Sequence, residues 1–408
     1  MSPLIMAIDL HALYIDLHQH PELSFAEHRT AGIVAGHLED LGHEDRTGFG
    51  VTGVVGVLEN GDGPVVLLRA DMDGLPVLEQ TDLPYASTAR ATDHDGNDVP
   101  VMHACGHDVH VTALLGAAEE MMNTTDHWAG TLVVLFQPAE EWGGGAGAMV
   151  KDGLFDSIPA PSIVLGQHVG PLPAGVIALQ SGVAMAASDT IDIRLFGVGG
   201  HGSRPEATVD PVLMAANLTV RLQQVVSREI AATDSAVVTV GQIHAGTKNN
   251  IIPDRAALGL TVRTFDLQVR EQVLGAIERM TQAEGAAAGA ERAPEVELVE
   301  SYPLTFNNVE SAQRLRGAFG DAFGTHQVVE PGPMSGSEDV GNLATAAGVP
   351  LVYWFIGGLD HALFPDLASG KMPNNLPSNH SPFFAPVLEP TLSRGVAALV
   401  TAAREFLD

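Results

Sequence analysis

The sequence predicts an α/β protein in which a mainly parallel sheet domain is interrupted by a smaller, ferredoxin-like one. Three observations carry that expectation. Apolar strand-like runs alternate with helical patterns through the first part of the chain. Near Ser188 the pattern changes to a strict alternation of polar and apolar residues, the mark of strands with one wet face. After Tyr302 the first pattern returns. The expected boundaries are 1–185 and 302–408 for the two parts of the larger domain, and 186–301 for the insertion.

Taken in order, Ser24-Phe25-Ala26-Glu27 reads as a capping box that opens a helix ending near Leu41, where Gly42 stops it. Strand-like runs follow at 51–58, 65–68, 132–136 and 163–166, with a helical pattern at 110–122. Most of these runs are apolar throughout, as strands covered on both faces are. Within the insertion, Thr190-Ile191-Asp192-Ile193-Arg194-Leu195 is a half-buried strand. A helix at 209–228, strands at 237–243 and 256–264, a helix from Asp266 and a strand at 296–300 follow it. That order is β-α-β-β-α-β. The Ala/Gly-rich stretch 284–293 reads as a helix end and turn. The run at 351–356 is a buried strand, and a closing helix spans 390–407, with Pro390 suited to a first helical position.

At 408 residues the chain is long enough for two or three domains, and 45% hydrophobic residues describe an ordinary globular protein. Lys and Arg number 20 against 50 Asp and Glu, a formal charge of −30. That balance argues against nucleic acid or an anionic membrane as partner, because both need a positive surface. The apolar stretch 4–8 is cut short by Asp9 and His11, so no signal peptide is expected, and no run approaches the roughly 18–20 residues of a membrane span. A cytoplasmic setting is the simplest expectation, and a single cysteine is compatible with it.

The polar residues collect in five short clusters, most of them directly after an apolar run: Arg69-Ala70-Asp71-Met72-Asp73-Gly74, Met102-His103-Ala104-Cys105-Gly106-His107-Asp108, Gln137-Pro138-Ala139-Glu140-Glu141, Gly166-Gln167-His168 and Ser378-Asn379-His380-Ser381-Pro382. In open α/β sheets such positions lie beyond the carboxyl ends of strands, where sites form. Cys105 has no partner for an intrachain disulfide. It is either a buried filler residue or one used for its thiolate. Thiolate with imidazole is the mix that zinc favours. Cys105, His107, Glu141, His168 and His380 are five ligands, too many for one tetrahedral zinc but suited to two metals if one ligand bridges. A two-metal site polarises a carbonyl and lowers the pKa of bound water from about 15.7 to about 7. Glu140 is then free as a general base.

These stretches, together with His18-Gln19-His20-Pro21-Glu22-Leu23-Ser24, Arg69–Pro76 (Arg-Ala-Asp-Met-Asp-Gly-Leu-Pro) and His380-Ser381-Pro382-Phe383, resemble the dinuclear metal amidohydrolases. That family includes hippurate hydrolases, indole-acetyl-amino-acid hydrolases and bacterial aminoacylases, and the resemblance spans nearly the whole chain. It implies that Cys105 bridges two divalent ions, that His107 and His168 complete one site, and that Glu141 and His380 complete the other. It implies further that Glu140 takes the proton from a bridging water and returns it to the leaving amine, and that Asp73 orients an imidazole ligand. Zinc is the first expectation for the metal, with manganese or cobalt able to occupy the same ligands.

The resemblance also makes the insertion a lid and dimerisation domain. His201, in Gly199-Gly200-His201-Gly202-Ser203-Arg204-Pro205, would stabilise the tetrahedral oxyanion, often across a homodimer, and Asn250 and Arg263 would hold the substrate carboxylate. The expected reaction is hydrolysis of the amide bond of N-acyl-L-amino acids. A dipeptidase or an N-acetyl-diaminopimelate deacetylase on the same scaffold is the alternative. Asp71 and Asp108 stay open between an orienting role and turn capping. Two positions depart from the usual pattern. Trp142 stands where a glycine is common, and Gly170 where a bulkier residue is common, so the shape of the acyl pocket is not fixed by the resemblance.

Overall fold

The computed structural model describes residues 7–365 and 373–407. Leu4, Ile5 and Met6 of the apolar N-terminal stretch lie outside the described residues. The chain divides into two compact units. One carries residues up to Ala184, Phe306–Gly332 and residues from Asp339 on; the other carries Met185–Thr305 with Pro333–Glu338. The sequence reading has no counterpart for that last short segment.

The first unit is built on an eight-stranded sheet, in the order Glu44–Phe49, Gly53–Asn60, Gly130–Gln137, Val65–Asp71, Ile163–Pro173, Leu351–Leu359, Ile177–Ala178, Val328–Val329. The four strands from Gly130–Gln137 to Leu351–Leu359 run parallel. Gly53–Asn60 pairs antiparallel with both of its neighbours. Every residue of Gly130–Gln137 is buried, so both faces of the sheet are covered there, as its unbroken apolar run requires. Helices Leu10–Gln19, His107–Asn123 and Leu388–Leu407 pack on one another, and the last two also pack on the sheet. Parallel register sets Asp71 beside Gln137, Arg69 beside Gly166 and His168 beside Phe355, which brings the polar clusters to the carboxyl ends of central strands.

Some local expectations fail for tertiary reasons. No capping box forms: the helix runs His28–Asp40, and its N-cap residue Glu27 makes no side-chain cap bond. The Ser24 hydroxyl donates to Asp73 (2.6 Å), and the Glu27 carboxylate accepts the amide of Ala139 (2.8 Å). Long-range partners have taken both side chains from the helix end. Helix Leu10–Gln19, capped by Asp9, and helix Val309–Phe323 were not anticipated. In the closing helix, Glu389 and Pro390 have non-helical dihedrals, so Pro390 precedes the regular helix instead of opening it.

The second unit carries a four-stranded antiparallel sheet in the order Ala236–Ala245, Arg255–Thr264, Ala187–Phe196, Glu295–Tyr302, with helices Pro211–Gln224 and Leu267–Ala288. Along the chain the order is β-α-β-β-α-β. Ile191, Ile193 and Leu195 point inward and form a core with Leu218, Leu222, Val273 and Ile277, while the alternating Asp192 and Arg194 face solvent. Asp210 and Asp266 cap the two helices with their carboxylates. Regular α-helix ends at Gln224 and passes into a π-turn at Val225–Glu229. The Ala/Gly-rich stretch ends its helix on Gly289, at φ +73. Among the described residues, no helix is long and apolar enough to cross a membrane.

Candidate metal centre

Two groups of donor atoms meet at the carboxyl edge of the first unit's sheet: Cys105 with His107 and His168, and Cys105 with Glu141 and His380. The atoms of each group lie within 4.8 Å of one another. Cys105 belongs to both. Its turn depends on Gly106, which sits at φ +85 as N-cap of helix His107–Asn123; a Cβ there would fall 2.3 Å from Val169. Asn379 donates to the carbonyls of Cys105 (3.0 Å) and Val169 (3.1 Å), and the His380 amide donates to the carbonyl of Ala104 (2.8 Å). These bonds bring the segment before the closing helix onto the cysteine turn.

Asp73 organises the glutamate pair. One oxygen accepts the Glu140 amide (3.1 Å) and lies 3.3 Å from His107 Nδ1; the other accepts the Glu141 amide (3.0 Å) and the Ser24 hydroxyl. His107 Nε2 stands 3.9 Å from Glu141, whose other oxygen is 3.2 Å from His380 Nε2. His168 donates its Nδ1 proton to the Val169 carbonyl (2.7 Å), which leaves Nε2 facing Cys105 Sγ at 3.4 Å. Glu140 is buried and forms a third donor group with His107 and Glu141.

A histidine that the sequence reading left unassigned, His110, also groups with Asp71 and His107. Both of its nitrogens are already used: Nδ1 pairs closely with Asp71, and Nε2 accepts the Val169 amide (2.8 Å). The i, i+3 spacing of His107 and His110 on one helix face would have flagged it. Asp71 is resolved as a buried partner of His110 and of Arg69 (2.6 Å), and Arg69 also reaches Gln137 and Asp339. Asp108 is not merely a turn cap: it holds buried His18 (2.6 Å), which also contacts Glu79 (3.1 Å). Trp142 is half exposed, with its ring centroid 3.9 Å from that of His94 at a tilted angle of 46°.

The electrostatics fit a cationic occupant. Burial pushes the Cys105 thiol up, and Glu141, Glu140 and Asp71 add to the effect. Burial opposes a charge on His107, yet Asp71, Asp73 and Glu141 outweigh it and push the imidazole up to about 10. Carboxylates crowded around one proton-hungry imidazole are the environment that a divalent ion would neutralise. Burial, then the neighbouring His110, hold His168 well below its ordinary value, in the neutral form that ligates. Nε2 of His107 and Oε1 of Glu141 are buried without a well-directed hydrogen bond, which a coordinated ion would satisfy, while Nδ1 of His107 faces Asp73. The donor set and these orphaned atoms fit bound metal.

The remaining expected site residues lie in the second unit. His201 is exposed, its Nδ1 accepting from the amide (3.1 Å) and paired with the hydroxyl (2.8 Å) of Ser203. The Asn250 side chain is exposed, and its carbonyl accepts the Gly202 amide (2.8 Å). Arg263 donates to the Ser335 carbonyl (2.6 Å) and the Ser337 hydroxyl (3.1 Å). His201 and Ile251–Ile252 line a concavity of about 910 Å³ with His244 and Arg255.

Residues 67–404 match the sequence profile of Peptidase family M20/M25/M40. The chain is 34% identical over 396 residues to IAA-amino acid hydrolase ILR1-like 4 of Arabidopsis thaliana, covering 96% of this chain and 84% of that protein. It is 39% identical over 328 residues to hippurate hydrolase of Campylobacter jejuni, covering 80% and 82%. The solved structure of the YXEP protein of Bacillus subtilis, a dinuclear metal binding peptidase from the M20 family, matches with a TM-score of 0.76 at 29% identity, over 97% of this chain and 98% of that one. The chain therefore belongs to Peptidase family M20/M25/M40 and is a hydrolase of its amidohydrolase type.

Proposed function

We propose that the protein hydrolyses the amide bond of N-acyl-L-amino acids, releasing a carboxylic acid and a free amino acid. One observation carries the reading: two donor groups that share Cys105, with a buried glutamate, Glu140, beside them. Cys105, His107 and His168 would hold one divalent ion, and Cys105, Glu141 and His380 the other. Thiolate with three imidazoles favours zinc over manganese or cobalt. When bound, the ions supply Lewis acidity toward the scissile carbonyl and toward water.

The chain's own residues do the rest. Asp73 fixes the backbone of both glutamates and the ring of His107, so ligand and base are set by one carboxylate. Glu140 takes a proton from the attacking water at its carboxylate and delivers it to the leaving amine nitrogen. Glu140 is buried beside His107 and Glu141, within reach of where the attacking water would sit. We assign His201 to the developing oxyanion, and Asn250 and Arg263 to the substrate carboxylate. In the second unit, edge strand Ala236–Ala245 and helix Pro211–Gln224 expose Val237, Ile243, Val212, Leu213 and Val220, which favours a homodimer formed through that unit. The named activities of the hippurate and IAA-amino acid hydrolases support the substrate class.

Amine release from a panel of N-acyl amino acids and dipeptides, with and without a chelator, tests the reading. Chelator-sensitive release from N-acyl amino acids is expected. Preference for dipeptides, or release indifferent to the chelator, would overturn it.

A further inference from the structure

The loop that carries Glu140 and Glu141 is conformationally demanding. Ala139, a non-glycine residue, sits at φ +49, where an L side chain crowds its own backbone. The loop then closes on itself: the Gly145 amide donates to the Ala139 carbonyl (3.1 Å), and a Cβ at Gly145 would lie 1.6 Å from the Pro138 carbonyl oxygen. Such a conformation persists only where its surroundings over-determine it.

Two buried carboxylates supply that constraint. Three consecutive amides, those of Ala139, Glu140 and Glu141, are accepted in turn by Glu27, Asp73 and Asp73. Glu27 is fully buried. Its Oε1 accepts the Ala139 amide (2.8 Å) and the Phe25 amide (2.9 Å), and Phe25 is itself at φ +63. Its Oε2 accepts the Thr52 hydroxyl (2.6 Å). One side chain thus pins two strained residues, one in the segment before helix His28–Asp40 and one at the start of the glutamate loop. Asp73 also lies against the His107 ring, so substituting it would disturb ligand and loop together. None of the hydrogen bonds of Glu27 goes to a proposed ligand.

We propose that Glu27 is a positioning residue: by holding Ala139 it sets the direction in which Glu140 and Glu141 project, and so governs both turnover and metal affinity. The proposal rests on the proposed function for both halves: its metal-affinity half on Glu141 as a ligand, its catalytic half on Glu140 as the base.

The three bonds of Glu27 are all accepted ones, so the test separates shape from charge. In Glu27→Gln, the amide oxygen can still take both backbone N–H groups while the side-chain NH2 turns to the Thr52 oxygen. Glu27→Ala removes all three bonds, and Glu27→Asp shortens the reach by one methylene. Each variant is checked for fold by circular dichroism. Its zinc affinity is measured by competition with a chromophoric chelator, and its kcat and KM are measured at saturating zinc. Glu27→Ala is expected to weaken zinc binding and lower kcat by about 10–100-fold each, with KM changed little. Glu27→Asp should fall between it and the native protein, and Glu27→Gln should restore most of both losses. If Glu27→Ala does not fold, Glu27→Asp against Glu27→Gln carries the same comparison. Zinc affinity and kcat within twofold of native in the alanine or aspartate variant would overturn the proposal. So would a glutamine variant as impaired as the alanine one, since charge and not bond geometry would then matter. A native protein that releases no amine, yet loses zinc affinity in Glu27→Ala and keeps it in Glu27→Gln, would sink the proposed activity and leave the positioning role standing.

Discussion

The two units use similar side chains in opposite surroundings. In the first, Asp71, Asp73, His107 and Glu27 are buried, and each carboxylate among them accepts bonds from at least two other residues. In the second, His201 and the Asn250 side chain are exposed, and the His201 side chain is held only by the neighbouring Ser203. Burying charge is costly unless it is paired. A site that buries this many acids is therefore fixed in advance and needs a cation, whereas the exposed histidine and asparagine are free to meet a ligand that arrives from solvent.

The sharpest way to break the comparison is at Glu140. Glu140→Gln keeps the shape and the backbone bonds to Asp73, so fold and zinc content should be retained while kcat falls by about 10²–10⁴-fold. Substantial remaining turnover would remove Glu140 as the base. In the second unit, His201→Ala should lower kcat by about 10²–10³-fold without moving the melting temperature, as loss of an oxyanion donor does. A native rate in that variant would remove His201 as the oxyanion donor.

Stability draws the same line. Burial opposes a charge on His18, but hydrogen bonds to Asp108 and Glu79 outweigh it and push its pKa up to about 10, from an ordinary 6.5. Because the folded value is the higher one, this stabilisation is present in full below about pH 6.5 and is lost as pH rises through about 10. His18→Gln leaves two buried carboxylates short of their cation and should cost about 3–5 kcal/mol near neutrality. Urea unfolding of both proteins at pH 6, 8 and 10 checks this. The gap between them should narrow with rising pH, and a constant gap would show that packing, not charge, is what His18 supplies. The smallest effect is expected at Arg263. Arg263→Lys keeps the charge but loses the planar fork, so KM should rise several-fold with kcat nearly unchanged, and an unaltered KM would remove Arg263 from carboxylate binding.

How much of this could be read from the chain alone follows from the range of the interactions. The candidate ligands were legible because they sit in short polar motifs, most of them directly after an apolar run, and parallel strands deliver such motifs to one edge. The β-α-β-β-α-β order of the second unit was legible because Ile191, Ile193 and Leu195 alternate with polar neighbours. What failed was local reading of residues with distant partners. Ser24 and Glu27 have capping-box spacing, yet their side chains go to Asp73 and Ala139, 49 and 112 residues away. For Asp108 and Asp71 the sequence leaves an orienting role and turn capping open, and the fold decides it by bringing His18 and His110 into contact with them. No spacing rule reports such contacts, because buried charge selects its partners through the tertiary fold.

The central claim is that five side chains hold two metal ions with Cys105 in common. Equilibrium titration of the metal-stripped protein with zinc, read by competition with a chromophoric chelator, tests it most directly. Two equivalents per chain are expected for the native protein, with both binding events weakened together in Cys105→Ala. A single equivalent, or a Cys105→Ala variant that binds two as tightly as the native protein, would contradict it.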